Sequence, residues 1–417
     1  MPAGASALDL GEIDRIDLSR QELFADRRVA EIFAILRQAD PVHFSRASEQ
    51  GPFWSVTKFD DIVAVDTNHA VFSSSWQNGG IALDDRIINP PVNGGTSIRS
   101  FVAQDDPEHA RYRAAVQPVV SPASLQRFEK LIGERMAGVL DALPRTEEFD
   151  WVERVAAEMA GLLHVTLFNV PLEDRGLLGG WAETILTFEG MPGFRGHAHR
   201  VATLEACMDY FGRYRVERAQ RPPQFDVISM LAHHPNTRDL SPLDFASQVI
   251  ALIAAASDTT RSTLSASINA MNRFPAEWEK VRANPRLIPN MVDEVIRWQT
   301  PVPHQRRTAL RDIELRGKTI RKGDKVAMWY FSGNRDEEIF PDGDCVIADR
   351  SNASRQLSFG SGIHRCMGMG IAKLQARKLW EFMIERFAFV EITHPVSTID
   401  SNLSRGYSAI PVRLHHR

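Results

Sequence analysis

The sequence predicts a mostly α-helical protein with small β-sheets, an α+β fold. Helical periodicity dominates from about residue 107 to residue 300, whereas short strand patterns cluster at 307–330 and at 389–414. No stretch along the chain has the composition of a domain linker. We therefore expect a flexible N-terminal lead-in at residues 1–25 and a single domain at residues 26–417. This domain should contain a long central helix and a cysteine-bearing loop that is followed by another helix.

The composition excludes several classes of protein. The 417 residues are 43% hydrophobic and carry a net charge of −4, which allows a large core and gives no basic excess for nucleic acid. The three cysteines, Cys207, Cys345 and Cys366, are far apart and odd in number, so we expect neither a disulfide framework nor a structural zinc site. The first six residues lack a signal-peptide pattern, and the longest apolar run, Val249 to Ala256, is far shorter than the roughly 20 residues of a membrane span. We expect a cytoplasmic protein without a membrane anchor.

The N-terminal half predicts several local elements. A helical pattern covers about residues 27–38, Trp54-Ser55-Val56 predicts a strand, and Ile62 to Val65 predicts a short helix. Residues 75–100 are rich in Gly, Asn, Asp and Pro, which predicts a long loop of the functional or mobile kind. Pro222-Pro223 marks a break between two helices.

The longest predicted helix has clear start and stop signals. Ser241-Pro242 supplies an N-cap hydroxyl and a proline at the first helical position, and Phe274-Pro275 ends the pattern. The interval holds about 32 residues, or roughly 48 Å of helix. Its middle, Val249 to Ala256, is apolar on all sides, which predicts a helix that is buried on every side.

A polar segment, Ser257-Asp258-Thr259-Thr260, interrupts this apolar helix. An acid and hydroxyl groups in such a place are costly unless they find partners. One interpretation is structural: Asp258 pairs with an arginine, and the threonines bond back to carbonyls one turn earlier. The other is functional: a local distortion opens a polar groove in an otherwise dry site.

The most informative segment runs from Phe359 to Gly368. It places Cys366 after a glycine-punctuated loop and just before an apolar helical pattern. Backbone N–H groups at a helix N-terminus stabilise a thiolate, which can act as a metal ligand or a nucleophile. The alternative is a buried structural cysteine.

This loop resembles the haem-ligand loop of the cytochrome P450 monooxygenases, whose pattern is Phe-Gly-x-Gly-x-His-x-Cys-x-Gly. The resemblance implies the cytochrome P450 fold, and haem b (Fe-protoporphyrin IX) as the cofactor. It also implies that Cys366 is the axial ligand of the iron, and that Phe359 and His364 contact the cofactor.

The segment from Ala255 to Thr260 resembles the oxygen-activation motif of the same family. The resemblance implies that Asp258 and Thr259 are catalytic and relay protons to dioxygen, because splitting the O–O bond needs two protons without bulk water in the site. The family commonly has glycine where this chain has Ala256. We expect the extra methyl group to narrow the groove and to reduce the kink of the helix.

A pair of charged residues matches the Glu-x-x-Arg of the family. Glu294 and Arg297 lie three apart on a predicted helix from Met291 to Trp298, and so share one face. The pattern alone favours an exposed pair of little energetic weight. The resemblance instead implies a buried structural network with Arg350.

A cationic set matches the family's contacts to the haem propionates. His109 and Arg113 lie four apart near a predicted helix start, and the resemblance adds Arg307 and His364 as propionate partners. The alternative for the first two residues is a solvated polar face.

Three further phrases, at 64–69, 326–336 and 401–407, resemble the bacterial alkane and fatty-acid terminal hydroxylases. The nearest rivals are terpene hydroxylases, or enzymes that hydroxylate cyclic or aromatic hydrocarbons. We expect a small hydrophobic substrate, and about half of the following apolar candidates to contact it: Ile81, Leu83, Ile88, Ile185, Leu186, Phe188, Leu252, Ala255, Val302 and Leu403. The candidates for a carboxylate clamp are Arg195, Arg200 and Arg405.

Electrons have to come from a partner protein, because the chain carries no flavin or iron–sulfur module of its own. We expect an iron–sulfur ferredoxin with its ferredoxin reductase, and a monomeric enzyme. Basic residues of the helix after Cys366 suit an acidic ferredoxin, although they also suit an ordinary solvated face; they are Lys373, Arg377 and Lys378, with Arg111 and Arg365 nearby in the family fold. The competing functions are a peroxide-driven enzyme, which would not need Asp258 and Thr259, and a non-enzymatic haem sensor.

Overall fold

A computed structural model of the chain describes residues 9–24, 28–84, 99–189, 191, 193–399 and 401–417. Long helices occupy its middle and short strands lie towards both ends of the chain, so the predicted α+β class is confirmed. The helices are α1 Leu10–Ile13, α2 Arg28–Ala39, α3 Phe59–Thr67, α4 Glu108–Val116, α5 Pro122–Asp141, α6 Glu158–Phe168, α7 Arg175–Leu186, α8 His197–Ala219, α9 Val227–His233, α10 Pro242–Arg273, α11 Pro275–Ala283, α12 Ile288–Gln299, α13 Tyr330–Gly333 and α14 Met369–Arg386.

The described strands form four small sheets. In chain order they are β1 Val42–Ser45, β2 Phe53–Val56, β3 Phe72–Ser73, β4 Phe149–Asp150, β5 Gln305–Ala309, β6 Ile313–Leu315, β7 Lys318–Ile320, β8 Lys325–Met328, β9 Phe387–Ile392, β10 Ser397–Thr398, β11 Tyr407–Ala409 and β12 Pro411–His416. The largest sheet has the order β1-β2-β8-β5-β3, and only its β2–β8 pair is parallel. The others are β4-β12-β9, β6-β7 and β10-β11.

The N-terminal segment is packed rather than loose. Asp9 and Glu12 form a reciprocal capping box at the start of α1. Ile13 and Leu18 are fully buried and join a small core with residues of α2. Within the expected lead-in, residues 9–24 therefore pack their apolar side chains against the rest of the chain. Residues 1–8 and 25 lie outside the described part.

Helix α10 forms the centre of the main hydrophobic core. The Ser241 hydroxyl accepts a hydrogen bond from the Asp244 N–H at 3.1 Å, and the helix then runs through 32 residues to Arg273. The predicted caps are therefore observed. The helix is continuous through Ser257 and Thr260, so the predicted local distortion is not observed. Among the described residues, none of the helices combines the length and apolarity that a membrane span requires.

Candidate active site

Cys366 lies at the end of a tight loop that is anchored at both ends. Its backbone N–H donates to the Phe359 carbonyl at 2.8 Å, and Gly368 is the N-cap of α14. Gly362 has a φ of 64° and lies against the C-terminal end of α3, where a Cβ atom would come within 2.5 Å of the Asp66 carbonyl oxygen. Glycine is required there because both the left-handed backbone and the close approach exclude a side chain.

The thiol of Cys366 lies deep in the protein but is not sealed off from solvent. Burial raises the pKa of this thiol, although the N–H groups of Gly368 and Met369 and the charge of Arg113 act in the opposite direction. Yet the residue is exposed to solvent. The two facts agree if the sulfur borders an internal space rather than bulk water. A thiol in this position needs a further positive charge to ionise, and a metal ion supplies such a charge.

One face of the middle of α10 also borders open space. Leu252, Ala255 and Thr259 lie on one face, where Ala255 is exposed and the other two are half-buried, whereas Ile253 and Ser257 on other faces are buried. The predicted burial on every side is therefore wrong. An apolar pattern does not distinguish a helix packed by protein from one that borders a space suited to an apolar ligand.

Asp258 and Thr259 make the contacts of the structural interpretation. The Thr259 hydroxyl donates to the Ala255 carbonyl at 2.7 Å, and Asp258 lies 3.4 Å from a guanidinium nitrogen of Arg261. Burial raises the pKa of the Asp258 carboxyl, and nearby Glu183 adds to the shift while Arg261 opposes it. A buried carboxyl with a raised pKa keeps its proton to higher pH, and so can serve as a proton donor.

A cavity of about 220 Å³ lies against a different face of α10. We call it the α6–α10 cavity, and its lining includes His164 of α6, Glu183 of α7, and Ser257 and Arg261 of α10. It is large enough for several water molecules. Because Ser257 and Arg261 flank Asp258 along the helix, water in this cavity would lie on the side of α10 that faces α6, near the carboxyl. Sequence analysis missed His164, whose only signal is its position in an apolar helical run.

His164 is held neutral within this cavity. Burial lowers the pKa of its ring to about 4, although a hydrogen bond from Nε2 to the Ile253 carbonyl, 3.0 Å away, opposes the shift. Since Nε2 carries the proton, Nδ1 presents a lone pair, and Nδ1 has no partner among the described residues.

Four predicted cationic residues converge beside the cysteine loop. Burial lowers the pKa of His364 far below its usual range, and the charges of Arg307, His109 and Arg113 lower it further. The rings of His109 and His364 lie 4.1 Å apart, and the buried Nε2 of His364 has no partner among the described residues. Such a cluster favours an anionic ligand, which would relieve the mutual repulsion.

Three of these side chains, Arg113, His109 and Arg307, also form hydrogen bonds or ion pairs with neighbouring protein groups. Arg113 donates to the carbonyls of Ile363 and Arg365, each at 2.8 Å, and both ring nitrogens of His109 face carbonyls. Arg307 pairs with buried Asp66 at 2.7 Å. An anion bound at this place would therefore either replace these hydrogen bonds and ion pairs or be bound in addition to them.

Glu294, Arg297 and Arg350 form one buried network. Arg297 makes two hydrogen bonds to Glu294 at 2.8 Å, and Arg350 adds a third at 2.9 Å. Both members of the helical pair are fully buried, in contrast to the exposed pair that the sequence pattern alone favours. Arg297 also donates to the carbonyls of Asn334 and Gly343, so the network ties α12 to the segment 334–350.

The predicted substrate contacts divide into three groups. Ile185 is almost fully buried and packs in the main core, so its predicted contact with substrate would need neighbouring side chains to move. Ile88 lies outside the described residues. The others are half-buried, border open space or line a cavity; they are Ile81, Leu83, Leu186, Phe188, Leu252, Ala255, Val302 and Leu403.

Two of the three candidate clamp arginines have structural partners. Arg200 is buried, donates to the carbonyls of Thr184, Ile185 and Thr187 at the end of α7, and stacks on Phe188 with 4.3 Å between its guanidinium carbon and the ring centroid. Arg405 donates to the Gln299 carbonyl. Arg195 is exposed.

The basic face of α14 is largely neutralised. Lys373 lies 2.6 Å from a carboxylate oxygen of Asp293, and Arg377 lies 2.7 Å from one of Glu129. Lys378 pairs with both Glu129 and Glu381. The predicted basic patch is therefore corrected, because acids of three helices offset its charge; Arg111 and Arg365 are exposed beyond it.

Residues 197–408 match the family model described as Cytochrome P450. The chain is 31% identical to Linalool 8-monooxygenase of Pseudomonas putida, over 96% of this chain and 99% of that protein, and 29% identical to Cytochrome P450-terp of a Pseudomonas species, over 93% and 94%. Among solved structures, it is 37% identical to CYP153D17 from Sphingomonas sp. PAMC 26605, with a TM-score of 0.89 over 96% of this chain and 99% of that one. It is equally identical to Cytochrome P450-153 from Novosphingobium aromaticivorans, with a TM-score of 0.88 and the same coverage.

Proposed function

The chain belongs to the cytochrome P450 family of monooxygenases, and we propose that it inserts one oxygen atom of O2 into a C–H bond of a medium-chain alkane or fatty acid, at the chain terminus. The family uses O2, a redox partner and hydrophobic substrates. The observation that carries the proposal is the position of Cys366 at the N-terminus of α14, where its thiol lies deep in the protein and is still accessible to a ligand.

The cofactor of the family is haem, and the residues of this chain fit it. When bound, haem supplies an iron centre at which O2 is reduced and its O–O bond is split. Cys366 would hold the iron, since a positive metal favours the thiolate that burial disfavours. His109, Arg113, Arg307 and His364 would face the two propionates, and the buried, unpartnered Nε2 of His364 supports this assignment.

The residues of α10 would supply protons to the site and limit the access of water to it. Burial raises the pKa of Asp258, so its carboxyl holds a proton more readily than an exposed one would, and the adjacent Thr259 hydroxyl would pass a proton on towards the open face of α10. Leu252 and Ala255 make that face of the helix apolar, so a bound hydrocarbon rather than water would be favoured against it. Asp258 and Thr259 favour this function over a peroxide-driven enzyme or a haem sensor, since neither of those needs a relay.

The substrate class rests on sequence resemblance and on an apolar set of side chains. Three phrases of the chain resemble the alkane and fatty-acid terminal hydroxylases, and Leu252, Val302 and Leu403 are half-buried apolar side chains suited to a hydrocarbon. The alternative is a terpene, or a cyclic or aromatic hydrocarbon. The similarity to the protein named Linalool 8-monooxygenase favours this alternative.

We propose an iron–sulfur ferredoxin, reduced by its ferredoxin reductase, as the redox partner of a monomeric enzyme. The supporting surface is smaller than the sequence indicated. It consists of the exposed Arg111 and Arg365, because the lysines and the arginine of α14 are paired with carboxylates.

A ligand substitution tests the role of Cys366. We expect Cys366→His to abolish the thiolate-type carbon-monoxide spectrum of the reduced protein, because imidazole would replace sulfur at the metal. Cys345→Ser is the matched control, since Cys345 is an exposed cysteine on another loop, and it should leave the spectrum unchanged. A thiolate spectrum that survives Cys366→His would rule out the assignment.

Reconstitution tests the reaction. The purified protein would be combined with ferredoxin, ferredoxin reductase, NADPH and a panel of alkanes, fatty acids and terpenes, and the products analysed by mass spectrometry. We expect a hydroxylated product only with the complete electron-transfer chain. Product formed from peroxide alone would favour the peroxide-driven alternative, and no product from any substrate would contradict the proposal.

A further inference from the structure

Asp66 is a buried carboxylate near the C-terminal end of α3, and it lies between two parts of the candidate active site. The residue is 2% exposed and occupies the last turn of the helix, which ends at Thr67. The negative end of the helix dipole disfavours a carboxylate there, and burial disfavours it as well. A carboxylate in this position therefore depends on the groups that surround it.

Within the described part of the chain, four hydrogen-bond donors surround this carboxylate. Arg307 donates to one oxygen at 2.7 Å. The other oxygen accepts from the Ser361 backbone N–H at 2.7 Å, and from the hydroxyl groups of Ser361 and Tyr330, each at 3.1 Å. Burial raises the pKa of the Tyr330 hydroxyl well above its ordinary value, and the charge of Asp66 raises it further although Arg307 opposes the shift, so this hydroxyl remains a donor.

Asp66 connects Arg307 to the cysteine loop. Arg307 lies on β5, is 1% exposed, and also donates to a carbonyl of its own strand at 2.8 Å. Ser361 belongs to the loop that leads to Cys366. The charge of Arg307 acts on the same loop, because it is the second cause, after burial, that lowers the pKa of His364. The carboxylate therefore fixes a cation of the cluster and the loop relative to each other.

The negative charge of Asp66 also offsets the positive charge of Arg307, beside the place where the haem propionates would be bound. A redox centre near a neutral ion pair experiences a less positive potential than one near an unpaired guanidinium group. Reduction adds one electron to the haem iron, so a nearby negative charge disfavours it and a nearby positive charge favours it. The ion pair therefore matters to the redox chemistry as well as to the fold.

We propose that Asp66 is a positioning residue that holds Arg307 and Ser361 and, through its negative charge, lowers the reduction potential of the bound haem. It makes the transfer of an electron from the redox partner less favourable. This inference goes beyond the proposed function, because it needs only the haem cofactor and its cysteine ligand and does not depend on the substrate. Asp66 acts through Arg307 and the loop, and takes no part in the chemical step.

Spectroelectrochemical titration of the haem-loaded protein, without substrate, tests the proposal. Asp66→Asn and Asp66→Ser both remove the negative charge, and the hydroxyl of the serine can still accept a hydrogen bond from the Ser361 N–H. We expect both variants to raise the equilibrium constant for reduction about tenfold, which is the effect of one unpaired charge roughly 10 Å from a redox centre in a partly buried site. For one electron, a tenfold change corresponds to about 59 mV.

Two further variants separate the charge of Asp66 from the packing of the loop. Asp66→Glu retains the charge but adds a methylene group in a tightly packed place, so its potential should stay close to that of wild type. Asp61→Asn removes another buried carboxylate of the same helix, but Asp61 lies in the first turn and pairs with Arg316, so the potential should not change. The carbon-monoxide spectrum checks that each variant retains the thiolate ligand.

The outcomes separate this inference from the proposed function. Potentials equal to wild type in Asp66→Asn and Asp66→Ser would overturn the inference. It would also be overturned by an equal rise in Asp66→Glu, or by loss of haem from both neutral variants, because Asp66 would then act through the packing of the loop alone. Hydroxylation by the wild-type protein would in each case leave the proposed function intact, whereas a wild-type protein without a thiolate-type spectrum would contradict both.

Discussion

At the scale of single residues, Thr259 combines a structural contact with a proposed role in proton transfer. Its hydroxyl donates to the Ala255 carbonyl, which already has a place in the helical ladder, so Thr259→Ala should fold normally. We expect this variant to consume NADPH and O2 while the share of electrons that reaches product falls about tenfold or more, with hydrogen peroxide formed instead. Product and peroxide measured in one reaction check the expectation.

Thr263 is the matched control for Thr259. It lies one turn further along the same helix, is buried, and donates in the same way to the Thr259 carbonyl at 2.8 Å. Thr263→Ala should leave the ratio of product to peroxide near the wild-type value. If both variants behave alike, the effect is structural, and the relay runs through another group such as Ser257.

The two buried neutral histidines predict how stability depends on pH. The pKa values of His164 and His304 are lowered from the ordinary 6.5 to about 4 by burial. Between these values the unfolded chain binds protons that the folded chain does not. The free energy of unfolding should therefore fall as the pH is lowered from about 6.5 to about 4, by up to roughly 1.4 kcal/mol per pH unit for each histidine.

Urea unfolding at several pH values measures this dependence. His164→Phe removes the contribution of one of these histidines, so its free energy of unfolding should decline less steeply between pH 6.5 and 4 than that of wild type. His415→Phe is the control, because His415 is exposed beside Glu391 and should leave the slope nearly unchanged. Equal slopes for wild type and His164→Phe would contradict a neutral buried ring.

At the scale of elements, the network around Glu294 joins α12 to the segment that leads to the cysteine loop. The Glu294 carboxylate accepts from Arg297, Arg350 and the backbone N–H of Ile347, and the three charged side chains are buried. Glu294→Gln removes the negative charge and leaves two buried guanidinium groups uncompensated. We expect a loss of about 3–5 kcal/mol in the free energy of unfolding, measured with urea.

Glu279 provides the matched control for the stability loss expected of Glu294→Gln. It pairs with Arg282 at 3.0 Å on α11, and its side chain is 62% exposed, so Glu279→Gln should cost well under about 1 kcal/mol. Similar losses in the two variants would show that burial does not set the energetic weight of the Glu294 network.

The ends of α10 could be predicted from sequence, but its surroundings could not. Ser241, Pro242 and Phe274-Pro275 act locally, and the helix begins and ends where they predict. The environment of Ala255 depends on segments far away in the chain, and an apolar run fits a packed core and the wall of a ligand space equally well. Ala256 agrees with the expectation of a reduced kink, since the helix is continuous there.

At the scale of the whole molecule, short sequence motifs are easier to interpret from the sequence alone than surface charge is. The cysteine loop and the Glu-x-x-Arg pair carry their information in short spacings, and the fold class follows from the order of helical and strand patterns. The basic helix α14 was misjudged because Glu129, the partner of Arg377, lies 248 residues earlier in the chain. Asp66 was missed for a similar reason, since only the folded chain shows which groups its carboxylate contacts.

The corrected surface charge predicts which cations a ferredoxin contacts. Arg111 is exposed, whereas Lys378 is paired with Glu129 and Glu381. An acidic partner should therefore gain more from Arg111 than from Lys378. We expect Arg111→Gln to raise the KM for ferredoxin about fivefold at low ionic strength, which corresponds to about 1 kcal/mol of charge interaction, and the difference from wild type should shrink as salt is added.

Lys378→Gln is the matched control for Arg111→Gln, because it removes one positive charge from a cation whose carboxylate partners remain. It should change the KM for ferredoxin by less than about twofold, since a paired cation contributes little net field at the surface. A larger effect of Lys378→Gln than of Arg111→Gln, with the carbon-monoxide spectra of both unchanged, would place the docking surface on α14. It would also mean that its ion pairs open when the partner binds.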